Sequence, residues 1–164
     1  MRRFIFAISI LLALNVTPPI HAAEANQCVA VIQANATVRT TCDTNADSPK
    51  LKAATAAATP LMTWYDNWHW DSGNGSVTWY GYAGTCDQSG YRINFDDNNF
   101  PAWRNRISSW KVHGDCWVTF AYDRPYDLRG PSIRIDGDVY FINDHSPYTD
   151  WNDSVEAFWI TSRR

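Results

Sequence analysis

Two segments in the second half of the chain share one pattern of side chains. Residues 103–112 read Trp-Arg-Asn-Arg-Ile-Ser-Ser-Trp-Lys-Val, and residues 151–160 read Trp-Asn-Asp-Ser-Val-Glu-Ala-Phe-Trp-Ile. The second segment begins 48 residues after the first, and tryptophan aligns with tryptophan and apolar residue with apolar residue. A repeat of this length indicates duplicated supersecondary units that bury their apolar faces against each other. The sequence therefore predicts a fold built from two related units.

The match also extends upstream of these segments. Val-Thr-Trp at residues 77–79 aligns with Val-Thr-Phe at residues 118–120, and residues 90–96 align with residues 130–136 through a glycine and an aspartate. The offset here is 41 or 40 residues, so an insertion of about eight residues separates the two blocks of the second unit. We expect one repeat at about 77–112 and the other at about 118–162.

Within both repeats, short runs rich in β-branched and aromatic residues alternate with clusters of Gly, Pro, Asn and Asp. Many short strands separated by such turns are typical of a β-sandwich or barrel. The sequence therefore predicts an all-β protein.

The first 23 residues have the organisation of a signal peptide. Two arginines precede an apolar run at residues 4–14, and small residues follow at positions 22, 23 and 25. The run is short for a membrane span, so we expect cleavage and a secreted or periplasmic protein with no membrane contact; an uncleaved anchor is the alternative. Cleavage would change the formal net charge from −3 to −5. An acidic exported domain of this kind is a poor candidate for nucleic-acid binding.

Four cysteines lie beyond the signal peptide. An even number in an exported chain indicates two disulfides, for which three connectivities exist. We favour Cys28–Cys42, which flank one hairpin-like segment, and Cys86–Cys116, which bracket one repeat. A zinc site is the competing interpretation, but the sequence has no Cys-x-x-Cys spacing and its histidines are scattered.

Residues 24–62 form an N-terminal extension ahead of the repeat domain at 63–164. Residues 26–45 have the alternation of a small hairpin. Residues 48–60 are rich in Ala, Thr and Lys, which suits either a helix that ends at Pro60 or a linker.

Residues 117–135 resemble the aromatic, glycine and serine signature of a βγ-crystallin Greek key. Asn105-Arg106-Ile107-Ser108-Ser109 resembles that family's calcium loop, which has two Asn/Asp, two variable residues, then Ser/Thr and Ser. The resemblance covers about residues 77–162 and is looser in the first unit. It implies a βγ-crystallin-like, two-Greek-key β-sandwich with a short disulfide-bonded N-terminal extension.

The same resemblance implies calcium sites that share ligands from both loops. The candidate ligands are oxygen-bearing side chains of the two loops: Asn105, Ser108, Asn152, Asp153 and Glu156. Arg104 stands where the family has its first Asn/Asp, and it would repel a dication. We therefore expect low affinity, with a dissociation constant of about 10⁻⁴–10⁻³ M. The alternative is that both loops are plain turns held by a serine and an asparagine.

Nine tryptophans are unusual in a chain of this length. Trp64, Trp68 and Trp70 occupy nearly alternate positions, which would put them on one face of a strand. They are candidates for an exposed platform that binds a glycan or a protein, and burial in the core is the alternative.

No catalytic constellation is visible in the sequence. Asp144-His145-Ser146 contains the residue types of a hydrolytic triad, but neighbours in a turn point in different directions. We predict a non-enzymatic binding or structural module with an unidentified protein or glycan partner. The alternatives are a proteinase inhibitor or killer-toxin-like protein that acts through the inserted loop at 138–150, and a glycan-binding module.

Overall fold

A computed structural model describes residues 26–94, 103, 105–123, 132–145 and 151–163. Across these residues nine strands form two β-sheets, and one short α-helix lies beside the first sheet. The strands are β1 (Gln27–Ile32), β2 (Val38–Asp43), β3 (Thr59–Tyr65), β4 (Ser76–Gly81), β5 (Tyr91–Asn94), β6 (Ser109–Val112), β7 (Val118–Tyr122), β8 (Ser132–Asp136) and β9 (Ala157–Thr161). The helix α1 spans Pro49–Thr55, and two 3-10 helices span Trp68–Trp70 and Ile142–His145. No helix of the described segments has the length and apolar content needed to span a membrane.

The two sheets exchange strands between two four-strand units. Sheet A has the order β2-β1-β4-β3-β6, and sheet B has the order β5-β9-β7-β8. The third strand of the first unit, β5, therefore lies in sheet B. In return, Val139 of the second unit pairs with Trp110 of β6 in sheet A. This exchange confirms the predicted all-β sandwich with two Greek keys.

Backbone hydrogen bonds show which strands of the two units are equivalent. The N–H of Ser108 donates to the carbonyl of Tyr65 at 3.0 Å, and the N–H of Glu156 donates to the carbonyl of Tyr122 at 2.8 Å. Strand β3 is therefore the counterpart of β7, and β6 is the counterpart of β9, as the repeat at 103–112 and 151–160 predicted.

The predicted start of the first repeat at residue 77 was wrong. Residues 77–79 lie in β4, the second strand of the first unit, whereas residues 118–120 lie in β7, the first strand of the second unit. A Val-Thr-aromatic triplet suits any half-buried strand, so this short match carried no information about position. The first unit begins with β3, at Thr59.

The N-terminal extension joins sheet A directly. Strands β1 and β2 form an antiparallel hairpin, and β1 pairs in parallel with β4. The helical alternative for residues 48–60 is the one observed, with the Ser48 hydroxyl accepting a hydrogen bond from the N–H of Leu51 as an N-cap. The expected boundary between residues 62 and 63 falls inside β3, so no break in the structure occurs there.

Both favoured disulfides are confirmed. Cys28 and Cys42 are bonded and lie directly opposite each other in the β1–β2 register. Cys86 and Cys116 are also bonded, and they fasten the segment that follows β4 to the turn before β7.

Aromatic side chains fill the space between the sheets. Trp64, Trp79, Trp110 and Phe158 are fully buried. The ring of Trp64 stacks on Phe158 with centroids 4.6 Å apart and lies 4.8 Å from Trp79. Burial of such large aromatic surfaces is the main source of stability in a core of this kind.

A tyrosine packs against a strand end where only glycine fits. The Tyr91 hydroxyl donates to the carbonyl of Gly84 at 2.9 Å and accepts from the N–H of Ala83 at 3.2 Å. A Cβ atom on Gly81 would lie 2.4 Å from the Tyr91 ring. Gly81 therefore permits the close approach that ties β5 to the end of β4.

Candidate functional site

The loops that precede β6 and β9 face each other, as the paired-loop prediction required. The N–H of Asn105 lies 3.5 Å from the carbonyl of Val155. Asn105 and Asp153 occupy the same position of the repeat, and both have left-handed backbones, with φ of 55° and 57°. Asn and Asp tolerate this conformation better than other residues with a side chain. The Asn/Asp of the repeat thus has a backbone role in addition to any role as a ligand.

A cavity of about 500 Å³ opens between these loops and the turn that follows β3. We call it the inter-loop cavity, and its lining residues are Asp66, Asn67, Trp68, Asn74, Ser108, Phe141, Asn152 and Asp153. Three of the predicted ligand residues, Ser108, Asn152 and Asp153, meet there. Asp66 also lies there, although the sequence analysis did not identify it.

Two other predicted ligands do not line the inter-loop cavity. Asn105 is exposed on the loop, and Glu156 is buried at the start of β9 with its N–H bonded to the Tyr122 carbonyl. Their inclusion in one shared site with Ser108 is therefore corrected. Arg104 lies outside the described residues.

An arginine from the first loop holds Asp66. The Nε and one terminal nitrogen of Arg106 contact the two carboxylate oxygens of Asp66 at 3.2 and 2.7 Å. The guanidinium also lies over the Trp103 ring, 5.1 Å from its centroid. A bidentate pair of this kind fixes both partners and supplies a cation to the inter-loop cavity from within the protein.

The second carboxylate, Asp153, is energetically strained by its surroundings. Burial raises the pKa of Asp153, the nearby Asp66 carboxylate raises it further, and Arg106 opposes both effects. The side-chain amide of Asn152 donates to Asp153 at 2.8 Å. The amide oxygen of Asn152 is buried and accepts no hydrogen bond from the described part of the chain. A bound cation would relieve the repulsion and give this oxygen a partner.

The oxygen atoms of the inter-loop cavity fit a hard cation of modest affinity. Two carboxylates, an amide oxygen and the Ser108 hydroxyl are the ligand types that Ca²⁺ takes. The Ser108 hydroxyl already donates to the Asp66 carbonyl at 2.8 Å, so only its lone pairs are available to a cation. Among the described residues, no three His, Cys, Asp or Glu side chains cluster to hold a metal. Asp66, Asn152 and Asp153 are the residues that would hold calcium here.

The three tryptophans predicted to form one platform lie in different environments. Trp64 is 0% exposed in the core, so its prediction as a ligand-binding residue was wrong. Strand β3 ends at Tyr65, and the alternation that would align the three rings ends with it. The indole N–H of Trp70 donates to the Trp110 and Val139 carbonyls, which fixes this ring against sheet A.

Trp68 does present an exposed ring, at the rim of the inter-loop cavity. It is 57% exposed and stacks on His69 with centroids 4.6 Å apart. His69 stacks in turn on Tyr140 at 3.8 Å, and Tyr140 is 45% exposed. His69 has a left-handed backbone with φ of 57°, a conformation that costs energy outside glycine. The sequence gave no signal for Tyr140, because it reaches this rim from the inserted segment.

The chain is similar to two solved structures at low identity. A βγ-crystallin domain from Clostridium beijerinckii is 15% identical, and the match covers 63% of this chain and 99% of that chain with a TM-score of 0.43. The N-terminal domain of protein S is 14% identical, with coverage of 62% and 96% and a TM-score of 0.42. No protein-family model and no curated protein sequence matches the chain. These similarities agree with the resemblance found in the sequence, and the architecture itself rests on the strand exchange described above.

Proposed function

We propose that this protein is an exported, non-enzymatic binding module that takes up calcium weakly in the inter-loop cavity. One observation carries the proposal. The carboxylates of Asp66 and Asp153 line the same cavity closely enough for Asp66 to raise the pKa of Asp153, and the buried Asn152 oxygen lies beside them. Calcium is the physiological cation that takes such a mixture of carboxylate, amide and hydroxyl oxygens.

The affinity is set by competition with Arg106. This guanidinium neutralises Asp66 when calcium is absent, so a bound dication must either displace it or bind beside it. Both routes weaken binding. An expected dissociation constant of about 10⁻⁴–10⁻³ M matches the range of extracellular calcium modules.

Export is supported by the leader-like residues 1–23 and by the two disulfides, which persist in oxidising compartments. Mass spectrometry of the exported protein is expected to show a new N-terminus between Ala23 and Asn26 and no alkylatable thiol. Recovery of intact Met1 in the mature protein would contradict export by cleavage.

Thermal unfolding tests the calcium site. We expect millimolar calcium to raise the melting temperature in a dose-dependent way, and magnesium at the same concentration to raise it less, because magnesium demands a stricter octahedral geometry. Asp153→Asn is expected to abolish most of the rise. The matched control is Asp115→Asn, which removes an exposed carboxylate from a turn that does not line the cavity. A calcium response that survives Asp153→Asn would place the site elsewhere.

A second candidate function, the binding of a neutral glycan, is favoured by the exposed stack of Trp68 and Tyr140 beside the polar cavity. Trp68→Ala is expected to abolish such binding in a glycan array while leaving the calcium response intact. The inhibitor alternative has less support. Val139 and Ile142 of the inserted segment are fully buried against the sandwich, and residues 146–150 lie outside the described part.

A further inference from the structure

The outer face of sheet B carries four side chains in one register row. Arg92 of β5 lies opposite Trp159 of β9, Trp159 lies opposite Phe120 of β7, and Phe120 lies opposite Arg134 of β8. The row crosses the whole sheet. Three interstrand spacings correspond to a length of about 14 Å.

The two rings of the row are stacked between two guanidinium groups. Phe120 and Trp159 have centroids 5.0 Å apart and planes inclined by 20°. Arg92 lies 5.3 Å from the Trp159 centroid, and Arg134 lies 6.0 Å from the Phe120 centroid. The Trp159 indole N–H donates to the Ser89 carbonyl, which fixes the orientation of its ring. The rings are therefore held as a rigid, partly exposed surface.

A second cation–aromatic pair lies next to this row. Arg163 is 3.7 Å from the centroid of Trp117, which packs against Gly137 so closely that a Cβ there would lie 3.0 Å from the ring. A groove of about 710 Å³ is lined by both aromatic pairs and by Arg134 and Arg163. Its volume lies within the range of small-molecule and oligosaccharide sites.

The charge of this face is opposite to that of the chain. The chain carries a net charge of −3, yet Arg92, Arg134 and Arg163 are all exposed on or beside the groove. Asp136 pairs with Arg134 at 3.1 Å and leaves that guanidinium 59% exposed. Asp87 lies near the groove edge, where its carboxylate is occupied by Ser89 and Gly90. An exposed cation–aromatic contact contributes only about 0.5–1 kcal/mol, so fold stability gives little reason to collect three of them on one face.

We propose that the outer face of sheet B binds an acidic polysaccharide, a glycan whose sugar rings carry carboxylates. The apolar faces of sugar rings pack on aromatic rings, and guanidinium groups bind carboxylates through paired N–H donors. A row with an arginine at each end and rings between matches a chain with anionic groups at intervals. Single-stranded nucleic acid also combines stacking with negative charge, but the acidic and disulfide-bonded character of the chain favours a glycan.

Calorimetric titration with oligogalacturonate, in EDTA and at low ionic strength, tests this proposal apart from the calcium site. The wild type is expected to bind oligogalacturonate and to bind its uncharged methyl ester at least about tenfold more weakly. The double variant Arg92→Gln/Arg134→Gln is expected to lose at least about tenfold in affinity. Arg39→Gln makes the same charge change at an exposed position of β2 in sheet A, and it is expected to bind like the wild type.

Three results would overturn the proposal. They are the absence of binding at millimolar oligogalacturonate, equal binding of the methyl ester, and tighter binding of a single-stranded oligonucleotide than of the glycan. Equal losses in the double variant and Arg39→Gln would reduce the effect to net charge and would also overturn it. Unchanged melting temperatures establish that the variants fold, and Arg163→Gln supplies a second, independent loss of affinity. Trp68→Ala is expected to leave this binding unchanged, because Trp68 does not line this groove.

Discussion

Replacing Arg106 with glutamine separates the two roles that we assign to its guanidinium. In the wild type, Arg106 holds the Asp66 carboxylate with two nitrogens, and the two side chains are 41% and 17% exposed. Hydrogen bonds to charged groups contribute about 1.5–3 kcal/mol when buried, and exposed ion pairs contribute about 0–1 kcal/mol. For this half-exposed pair we expect the variant to lose about 1–2 kcal/mol of unfolding free energy at neutral pH without calcium.

The same substitution is expected to strengthen calcium binding. A dication and a single cation roughly 6 Å apart repel by about 1.4 kcal/mol at the dielectric constant of water, which corresponds to about tenfold in dissociation constant. With constants of about 1 mM for the wild type and about 0.1 mM for the variant, calcium at about 1 mM stabilises them by about 0.4 and about 1.4 kcal/mol. Calcium thus restores about 1 kcal/mol more to the variant than to the wild type.

Urea unfolding followed by tryptophan fluorescence measures these differences, in EDTA and then in calcium. A calcium gain in Arg106→Gln that equals or falls below the wild-type gain would refute the competition between guanidinium and calcium. Arg39→Gln controls for the loss of one positive charge. The raised pKa of Asp153 adds a pH test. Calcium must displace any proton on Asp153, so binding is expected to weaken as the pH falls toward that raised pKa.

Three further changes test the scaffold. Serine at Cys86 is expected to cost about 3.6 kcal/mol and serine at Cys28 about 3 kcal/mol in urea unfolding, because the first disulfide closes the longer loop; the reverse order would contradict the chain-entropy account. Gly81→Ala is expected to lower the melting temperature, by about 1–3 kcal/mol of overpacking against Tyr91, and an unchanged midpoint would contradict the close approach. Burial lowers the pKa of His113, so the unfolded chain binds this proton first and stability falls as the pH drops below 6.5. In His113→Gln that part of the pH dependence is expected to disappear, which acid titration of the melting temperature measures.

The parts of the fold that could be predicted from sequence are those fixed by local constraints. Residues 103–112 and 151–160 each combine an Asn or Asp at a left-handed position with an apolar strand, and that combination recurs only where the same loop and strand recur. The Cys28–Cys42 disulfide was predictable for a similar reason, because it joins opposite residues of one hairpin. The shorter match of residues 77–79 lacked any such constraint and aligned the wrong strands.

Asp66 shows why half of the candidate site was missed. It reaches Ser108 only because β3 pairs with β6, with Tyr65 opposite Ser109, and this pairing joins distant parts of the chain. A sequence signal did exist. Tyr65-Asp66 recurs as Tyr122-Asp123 at the end of the equivalent strand β7. Without the strand assignment, this dipeptide could not be distinguished from a chance repeat.

The duplication also provides an internal comparison for the outer face of sheet B. Because Tyr65 corresponds to Tyr122 and residues 103–112 to residues 151–160, the positions of Phe120 and Trp159 are those of Thr63 and Lys111 in the first unit. Thr63 and Lys111 are also register partners, but Thr63 is satisfied by hydrogen bonds to neighbouring polar side chains. The same backbone therefore accepts a threonine and a lysine at these positions. Since the fold requires no stacked aromatic pair there, the pair in the second unit is better explained by what the surface binds than by what holds the sandwich together.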